Sequence, residues 1–300
     1  MKKIFYTVLI CSSFLFAQNA GETGLSFLKF GFGARNISMG NIGVVTANDV
    51  TALNYNPALL SEFTSSEILF MHNEWIQDVR SEYLGASIKI FGLPFAFNAN
   101  TTSVSDIQVR KIAGEPETTF NANYFTMGLS TGFSVYEDVS IGFGVKYLYE
   151  GMFSDDATGW GMDLGGYYKS PIENLTFGIA VRNIGKMHQL KNEATELPTD
   201  LSIGAGYSLQ SETLKSVFNL GLEYQKYFND ETNHINFGGE MLFDNLIALR
   251  IGYRYQNVDA SRLFSTGLGL HWGNLNFDYA YSPFRYNLGN AHSISLKFKF

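Results

Sequence analysis

The chain has 300 residues, including 26 Phe, 17 Tyr and 30 Gly, and only 16% are charged. Soluble domains average about 25% charge and about 7% Gly, so charge is scarce here and glycine abundant. The formal net charge of −7 lacks the basic footprint of a nucleic-acid binder, the single cysteine excludes a disulfide scaffold, and 45% apolar residues argue against disorder.

Residues 1–17, MKKIFYTVLICSSFLFA, place two lysines ahead of an apolar run and small residues. This pattern predicts an export signal cleaved near Ala17-Gln18, too short for a membrane-spanning helix. Cys11 lies within it, and Leu9 and Ile10 before it make a poor lipoprotein signal. Past the signal no run of 18 apolar residues occurs, so a membrane protein built from this chain must be a closed β-barrel.

Residues 18–65 alternate poorly, are rich in Gly, and carry an Asn-Pro break at 56–57. Ala52, Leu53, Leu59 and Leu60 suit short helical pieces on either side of it. The segment is too apolar for a tail and too long for a linker. Two readings stay open: a plug folded into a barrel lumen, and a periplasmic cap or recruitment surface.

From residue 66 onward a two-residue period takes over. It predicts strands at 66–74, 82–91, 94–103, 122–135, 138–150, 159–169, 174–183, 199–209, 215–227, 233–243, 246–256, 262–272, 274–283 and 292–300. In the last, Ile294, Leu296, Phe298 and Phe300 share one face and Ser293, Ser295, Lys297 and Lys299 the other. Most segments match the 9–11 residues of a tilted membrane strand, and fourteen is an even number. Minimal turns at Gly92-Leu93, Tyr136-Glu137, Asp244-Asn245 and Gly273, with short links at 170–173 and 210–214, alternate with longer links at 75–81, 104–121, 151–158, 184–198, 228–232, 257–261 and 284–291. That asymmetry distinguishes periplasmic from extracellular rims. The fold class is therefore all-β: a fourteen-stranded antiparallel outer-membrane barrel over 66–300. A soluble sandwich fits less well, because the small face holds Gly, Ser, Ala and Thr with sparse charge. Aromatics near segment ends, among them Trp75, Tyr147, Tyr149, Trp160, Tyr227, Tyr253, Tyr255 and Trp272, suggest interfacial girdles.

Alternation projects Lys146, Glu150, Asp163, Arg182, Glu223, Glu240, Arg250, Arg254, His271, Asp278, Lys297 and Lys299 into the lumen. Strand order makes Glu240 a neighbour of Arg250, and Lys297 a neighbour of Asp278. These groups either satisfy one another within the wall or form a polar selectivity lining. Catalysis finds no support: the five His show no metal-ligand spacing, HExxH and GxSxG are absent, and Gly31-Phe32-Gly33-Ala34-Arg35 lacks the spacing of a nucleotide loop. No cofactor is expected.

The opening run contains Gly31, Gly33, Ala34, Arg35, Met39-Gly40, Asp49 and Asn56-Pro57-Ala58, followed by Glu74-Trp75, Asp78, Arg80, Glu82-Tyr83 and Leu84-Gly85. It resembles the PorV/PorQ family of outer-membrane proteins of Bacteroidetes and related bacteria, itself similar to the FadL-like long-chain fatty-acid transporter superfamily. The resemblance implies a fourteen-stranded barrel with an N-terminal hatch at 18–65. In the superfamily hydrophobic substrates pass through such barrels. In one branch of the named family the protein acts with the type IX secretion apparatus on exported cargo. Phe300 is similar to the aromatic ending by which the barrel assembly machinery recognises its clients.

Three functions follow as expectations. The first is transport of small or hydrophobic solutes past the hatch. The second is docking of exported cargo or an accessory subunit, with Trp75, Ile76, Met152, Phe153, Met187, Leu190 and Phe284 as exposed apolar loop residues. The third is a purely structural barrel. Transport is preferred narrowly, with outer-membrane lipid as the surrounding partner in every case.

Overall fold

A computed structural model describes residues 24–110, 112, 114–229, 232–257 and 264–300. The export signal and Cys11 lie outside the described residues. From residue 67 the chain forms β1 (Glu67–Glu74), β2 (Val79–Ile90), β3 (Leu93–Val109), β4 (Thr118–Tyr136), β5 (Val139–Met152), β6 (Asp155–Lys169) and β7 (Leu175–Met187). The two-residue strands β8 (Gln189–Leu190) and β9 (Glu193–Ala194) pair only with each other. Then come β10 (Asp200–Ser211), β11 (Ser216–Tyr227), β12 (Asn233–Phe243), β13 (Ile247–Gln256), β14 (Phe264–Trp272), β15 (Leu275–Pro283) and β16 (Asn290–Lys299).

Without β8 and β9, these fourteen strands form one closed antiparallel barrel, each strand paired with its sequence neighbours and β1 with β16, Phe70 opposite Leu296. Closure leaves no strand edge, as hydrocarbon requires. All fourteen predicted segments coincide with barrel strands. The expected links at 104–121 and 151–158 are mostly strand. Thr and Val residues carry β3 to Val109 through a register shift between Val104 and Ile107, and Asp106 sits at φ 57 with its N–H donated to Asn121 Oδ1. β5 and β6 pair out to Met152 opposite Asp155, leaving Phe153-Ser154 as the turn. The longest link is instead 188–199, which holds the β8–β9 pair.

Period two sets the facing. On β13, Ile247, Leu249 and Ile251 are exposed, while Ala248, Arg250, Gly252 and Arg254 are buried. Large apolar side chains form an exterior band, the lipid-facing surface of an outer-membrane barrel. Ala205 and Gly239 leave a recess of about 590 Å³ in this outer surface between Leu220, Phe237 and Ile251. Tyr227 corrects the girdle assignment: it follows Glu223 and Gln225 on the inward face of β11 and is 2% exposed.

The facing yields a direct prediction. Leu296 lies on the outer face of β16, and Leu296→Lys should cost roughly 2–4 kcal/mol near the bilayer midplane. Reduced folded protein in outer-membrane fractions is the expected result. Wild-type levels would contradict the facing.

Residues 24–65 lie inside this cylinder. They contain a 3₁₀ turn at Ser26–Lys29, α1 (Ala34–Ser38), α2 (Ala52–Tyr55) and a 3₁₀ helix at Pro57–Glu62. These pieces are too short to be stable alone, so their order comes from the wall around them. The barrel interior is correspondingly not polar throughout. Phe32, Ile37, Val50, Leu53, Tyr55 and Leu60 form a shared apolar core with the inward-facing Leu69, Met71, Tyr83, Ala96 and Ala280. The large apolar residues thus divide between the exterior band and this interior core.

Candidate functional site

The site is the contact between residues 24–65 and the inner wall, taken from the long-link rim to the short-turn rim. At the long-link rim, Leu25 and Phe27 are buried with Leu148, Ala157, Met187 and Leu197, and Leu190 packs against them. Phe27 approaches Tyr124 with ring centroids 5.3 Å apart, and Phe30 stacks on Trp75 at 4.7 Å. Trp75 in turn meets Phe284 edge-on. The Lys29 ammonium lies 4.8 Å from the centre of the Tyr227 ring. Three of the apolar loop residues expected to be exposed, Trp75, Met187 and Leu190, therefore cover the start of the segment. Of the seven, only Phe153 is exposed; Trp75, Met187 and Leu190 pack against residues 25–30, and Phe284 meets Trp75.

Deeper in, α1 brings Arg35 to the inward charges of β12 and β13. Its Nε and Nη2 donate to Glu240 Oε2 and Oε1 at 2.9 and 2.7 Å, and Nη1 donates to the Thr46 carbonyl at 2.6 Å. Arg250 donates to Glu240 at 2.6 Å and to Asp278 at 2.7 Å, and Asn219 adds a bond to Glu240 at 2.9 Å. The planar guanidinium fork suits such bidentate pairing, and dry surroundings strengthen it. The predicted neighbours Glu240 and Arg250 are in contact. Lys297 and Asp278 are not paired. Register places Asn276 opposite Lys297 and Ser295 opposite Asp278. Lys297 reaches Asp49 instead, at 3.5 Å.

The other predicted lumen groups also point inward, and several engage the segment. Glu223 accepts the backbone N–H groups of Gly43 and Val44 at 3.0 and 3.1 Å. Arg182 pairs with Asp200 at 2.7 Å and donates to the Asn54 carbonyl at 3.0 Å. Lys146 binds Asp163 at 2.7 Å, where a register shift in β6–β7 lets Asp163 cap the Asn183 N–H. Arg254 meets His234 Nδ1 at 2.7 Å. Glu150 accepts from Thr195, while His271 and Lys299 are half-buried. Burial pushes the Asp49 carboxyl up, but the Lys297 ammonium, Thr51 and Arg35 outweigh it and hold it below the ordinary carboxylate range.

Glycines decide how closely the segment approaches. Gly206, Gly221, Gly238 and Gly252 lie opposite one another on β10, β11, β12 and β13, forming a row without side chains on the inner wall. Met39-Gly40 rests on it: a Cβ on Gly252 would lie 1.9 Å from the Gly40 nitrogen, and one on Gly238 would lie 2.2 Å from the Met39 carbonyl oxygen. Gly40 itself has φ +79, which L side chains rarely adopt. Gly252→Val should therefore displace residues 38–42, seen as new protease cleavage within 24–65 in a still-folded barrel. Unchanged protection would contradict the close contact.

The Asn56-Pro57-Ala58 turn uses the same device. Asn56 Nδ2 donates to the Val44 and Gly166 carbonyls at 2.8 and 3.0 Å, while its Oδ1 accepts the Ala58 N–H at 3.1 Å and caps the following turn. The Pro57-Ala58 backbone lies against Gly132, Gly142 and Gly165. Nearer the opening of α1, Ala34 N–H donates to Ser295 Oγ at 2.9 Å and Gly33 N–H meets Met71 Sδ; Gly31 and Gly33 both have positive φ.

The second predicted cluster divides by facing. Tyr83 is buried and its hydroxyl accepts from Asn54 Nδ2 at 2.9 Å, and a Cβ on Gly85 would meet Val50. Glu74, Arg80 and Glu82 face outward, and Asp78 is in the exposed turn. Asp200, Glu67 and Asn54 were not anticipated as site residues. Alternation from Ser202 and Gly204 does place Asp200 inward, whereas nothing in the sequence pairs Glu67 with the Val50 N–H that it accepts.

Two recesses of about 220 and 200 Å³ open towards the short-turn rim, lined in part by Val45, Thr46, Asn48 and Tyr167. Neither is lined by residues 24–30. Between them and the opposite rim, the space beside Leu28, Leu53, Lys146 and Asp163 is about 10 Å³. Among the described residues no group of three or more His, Cys, Asp or Glu is placed to hold a metal ion.

No family model matches the chain, and no curated protein matches it by sequence. Solved structures do match. The toluene transporter TbuX of Ralstonia pickettii superposes with a TM-score of 0.64 at 12% identity, over 90% of this chain and 98% of that one. The CymD monoaromatic hydrocarbon channel gives 0.65 at 11%, over 90% and 98%. A FadL homologue of Pseudomonas aeruginosa gives 0.55 at 13%, over 88% and 97%. At these identities the likeness is one of architecture, and the chain has the fold of the FadL-like outer-membrane barrels.

Proposed function

We propose that the protein carries small apolar solutes across the bacterial outer membrane, with residues 18–65 serving as a hatch that must shift before a solute passes. The observation that carries this reading is the segment itself. Its residues 24–65 occupy the lumen, yet they are fastened by separable polar contacts at Glu240, Glu223, Arg182 and Lys297. A permanent core would be cheaper to build from apolar contacts alone, since buried ion pairs add little net stability over hydrophobic isosteres. The half-buried aromatics Phe30, Trp75 and Phe284 at the long-link rim are a suitable first contact for a hydrocarbon. The similar folds of the hydrocarbon channels support the same direction. No covalent chemistry is required, and no cofactor.

The membrane partner is outer-membrane lipid. Phe300, at the end of the closing strand and exposed, is the feature the barrel assembly machinery would recognise. Cargo docking of the PorV/PorQ kind is the weaker reading, because only Phe153 of the loop residues it would use is exposed. Cells lacking the gene should take up a labelled monoaromatic hydrocarbon more slowly than wild type. Unchanged uptake together with exported protein retained in the periplasm would overturn transport in favour of docking.

A further inference from the structure

The outer wall is not uniformly apolar. On β13 five successive outward positions are Ile247, Leu249, Ile251, Tyr253 and Tyr255, and on β5 they are Ile141, Phe143, Val145, Tyr147 and Tyr149. On β1 only Ile68 and Phe70 precede His72 and Glu74. Register aligns these with other polar groups. One row runs His292, Glu74, Arg80, Ser103 and Asn123 across β16, β1, β2, β3 and β4. The row beside it holds His72, Glu82 and Thr101, with His72 Nδ1 2.6 Å from Glu82 Oε1. The function proposed above makes no use of this stripe, although it contains Glu74, Arg80 and Glu82 from the most distinctive part of the sequence.

Charge on the lipid-facing side of a barrel is destabilising to an extent set by depth. Glu74 and Arg80 face each other across β1 and β2, yet neither makes an ion pair within 4 Å among the described residues. Both are exposed. The stripe is also self-complementary. A two-fold axis normal to the membrane places the same patch on both subunits, so residue i meets j and j meets i. Glu74 of one copy then faces Arg80 of the second, and Arg80 faces Glu74, so each charge gains an opposite one across the axis.

We propose that a second copy of this chain docks against the β1–β2 wall, forming a two-fold dimer through the Glu74 and Arg80 stripe. Both rims of each barrel stay uncovered, because the contact is lateral.

The test uses full-length protein extracted in mild detergent and in lipid nanodiscs, with its mass read by native mass spectrometry. Wild type should be dimeric. Glu74→Arg and Arg80→Glu should each lower the dimer fraction at least tenfold, because like charges then meet across the axis. An equimolar mixture of the two variants should recover it, since Arg then meets Glu at both contacts. A heat-dependent shift in gel migration confirms that each barrel is folded. Arg80→Gln, which only removes a charge, replaces a reversal that does not fold and should also weaken the dimer. Monomeric wild type, failure of the mixture to recover, or reversals that alter only the bound lipid would each overturn the proposal.

Discussion

Deletion of residues 24–60 should leave a folded fourteen-stranded barrel through which small polar solutes leak freely. The hydrogen-bond ladder closes through β1 and β16 without any contribution from the segment, so its loss removes no wall. What it removes is the packing that fills the lumen and the cover over Leu69, Met71, Tyr83 and Ala96. Those side chains would meet water, at an expected cost of about 1.5–3 kcal/mol for each large one fully uncovered, which a closed barrel tolerates better than a small soluble domain. Liposome swelling in a sugar solution measures the leak, and heat-dependent migration measures folding. A folded variant as impermeable as wild type would mean that residues 24–60 do not seal the lumen.

Glu240→Gln should loosen the segment without removing it. Glu240 holds Arg35 and Arg250 at once, and its side chain is 3% exposed. Without the carboxylate Arg250 retains Asp278, but Arg35 loses its bidentate partner inside the lumen. Breaking one side of a buried pair costs about 3–5 kcal/mol. The expected result is amide exchange in residues 34–46 at least 100-fold faster, with each tenfold step worth about 1.4 kcal/mol, while the β-ladders keep their protection. Solute uptake should rise with it. Unaltered exchange across 34–46 would show that apolar packing, and not this pair, holds the segment.

The strands were legible because a wall between lipid and a packed lumen writes its facing residue by residue. Ile294, Leu296 and Phe298 against Ser295 and Lys297 required no alignment. The inward charges were legible for the same reason. Their partners were not, because alternation says nothing of register or of a segment that enters from outside the pattern. Lys297 meets Asp49, and Glu223 meets two backbone N–H groups, neither of which a strand-by-strand reading supplies. The glycine excess was readable as small inward positions. That Gly206, Gly221, Gly238 and Gly252 fall in one row, with Met39-Gly40 resting on Gly238 and Gly252, depends on three pairings at once. Met187 looks exposed in sequence because it sits in a link, and it is covered because Leu25 and Phe27 reach the same rim; Phe284 is half-buried against Trp75, on which Phe30 stacks.

The central claim is that the lumen segment must move for a solute to pass. A Cβ on Gly206 would lie 3.5 Å from the Val45 Cβ, at the lower end of the range a disulfide spans, and Cys11 is the chain's only native cysteine. The doubly substituted protein Val45→Cys, Gly206→Cys can thus be locked and released by redox state alone. Uptake of N-phenyl-1-naphthylamine into proteoliposomes should fall to the level of empty vesicles when the pair is oxidised, and return on reduction. Equal uptake in the two states, with the crosslink confirmed by mass, would contradict the account.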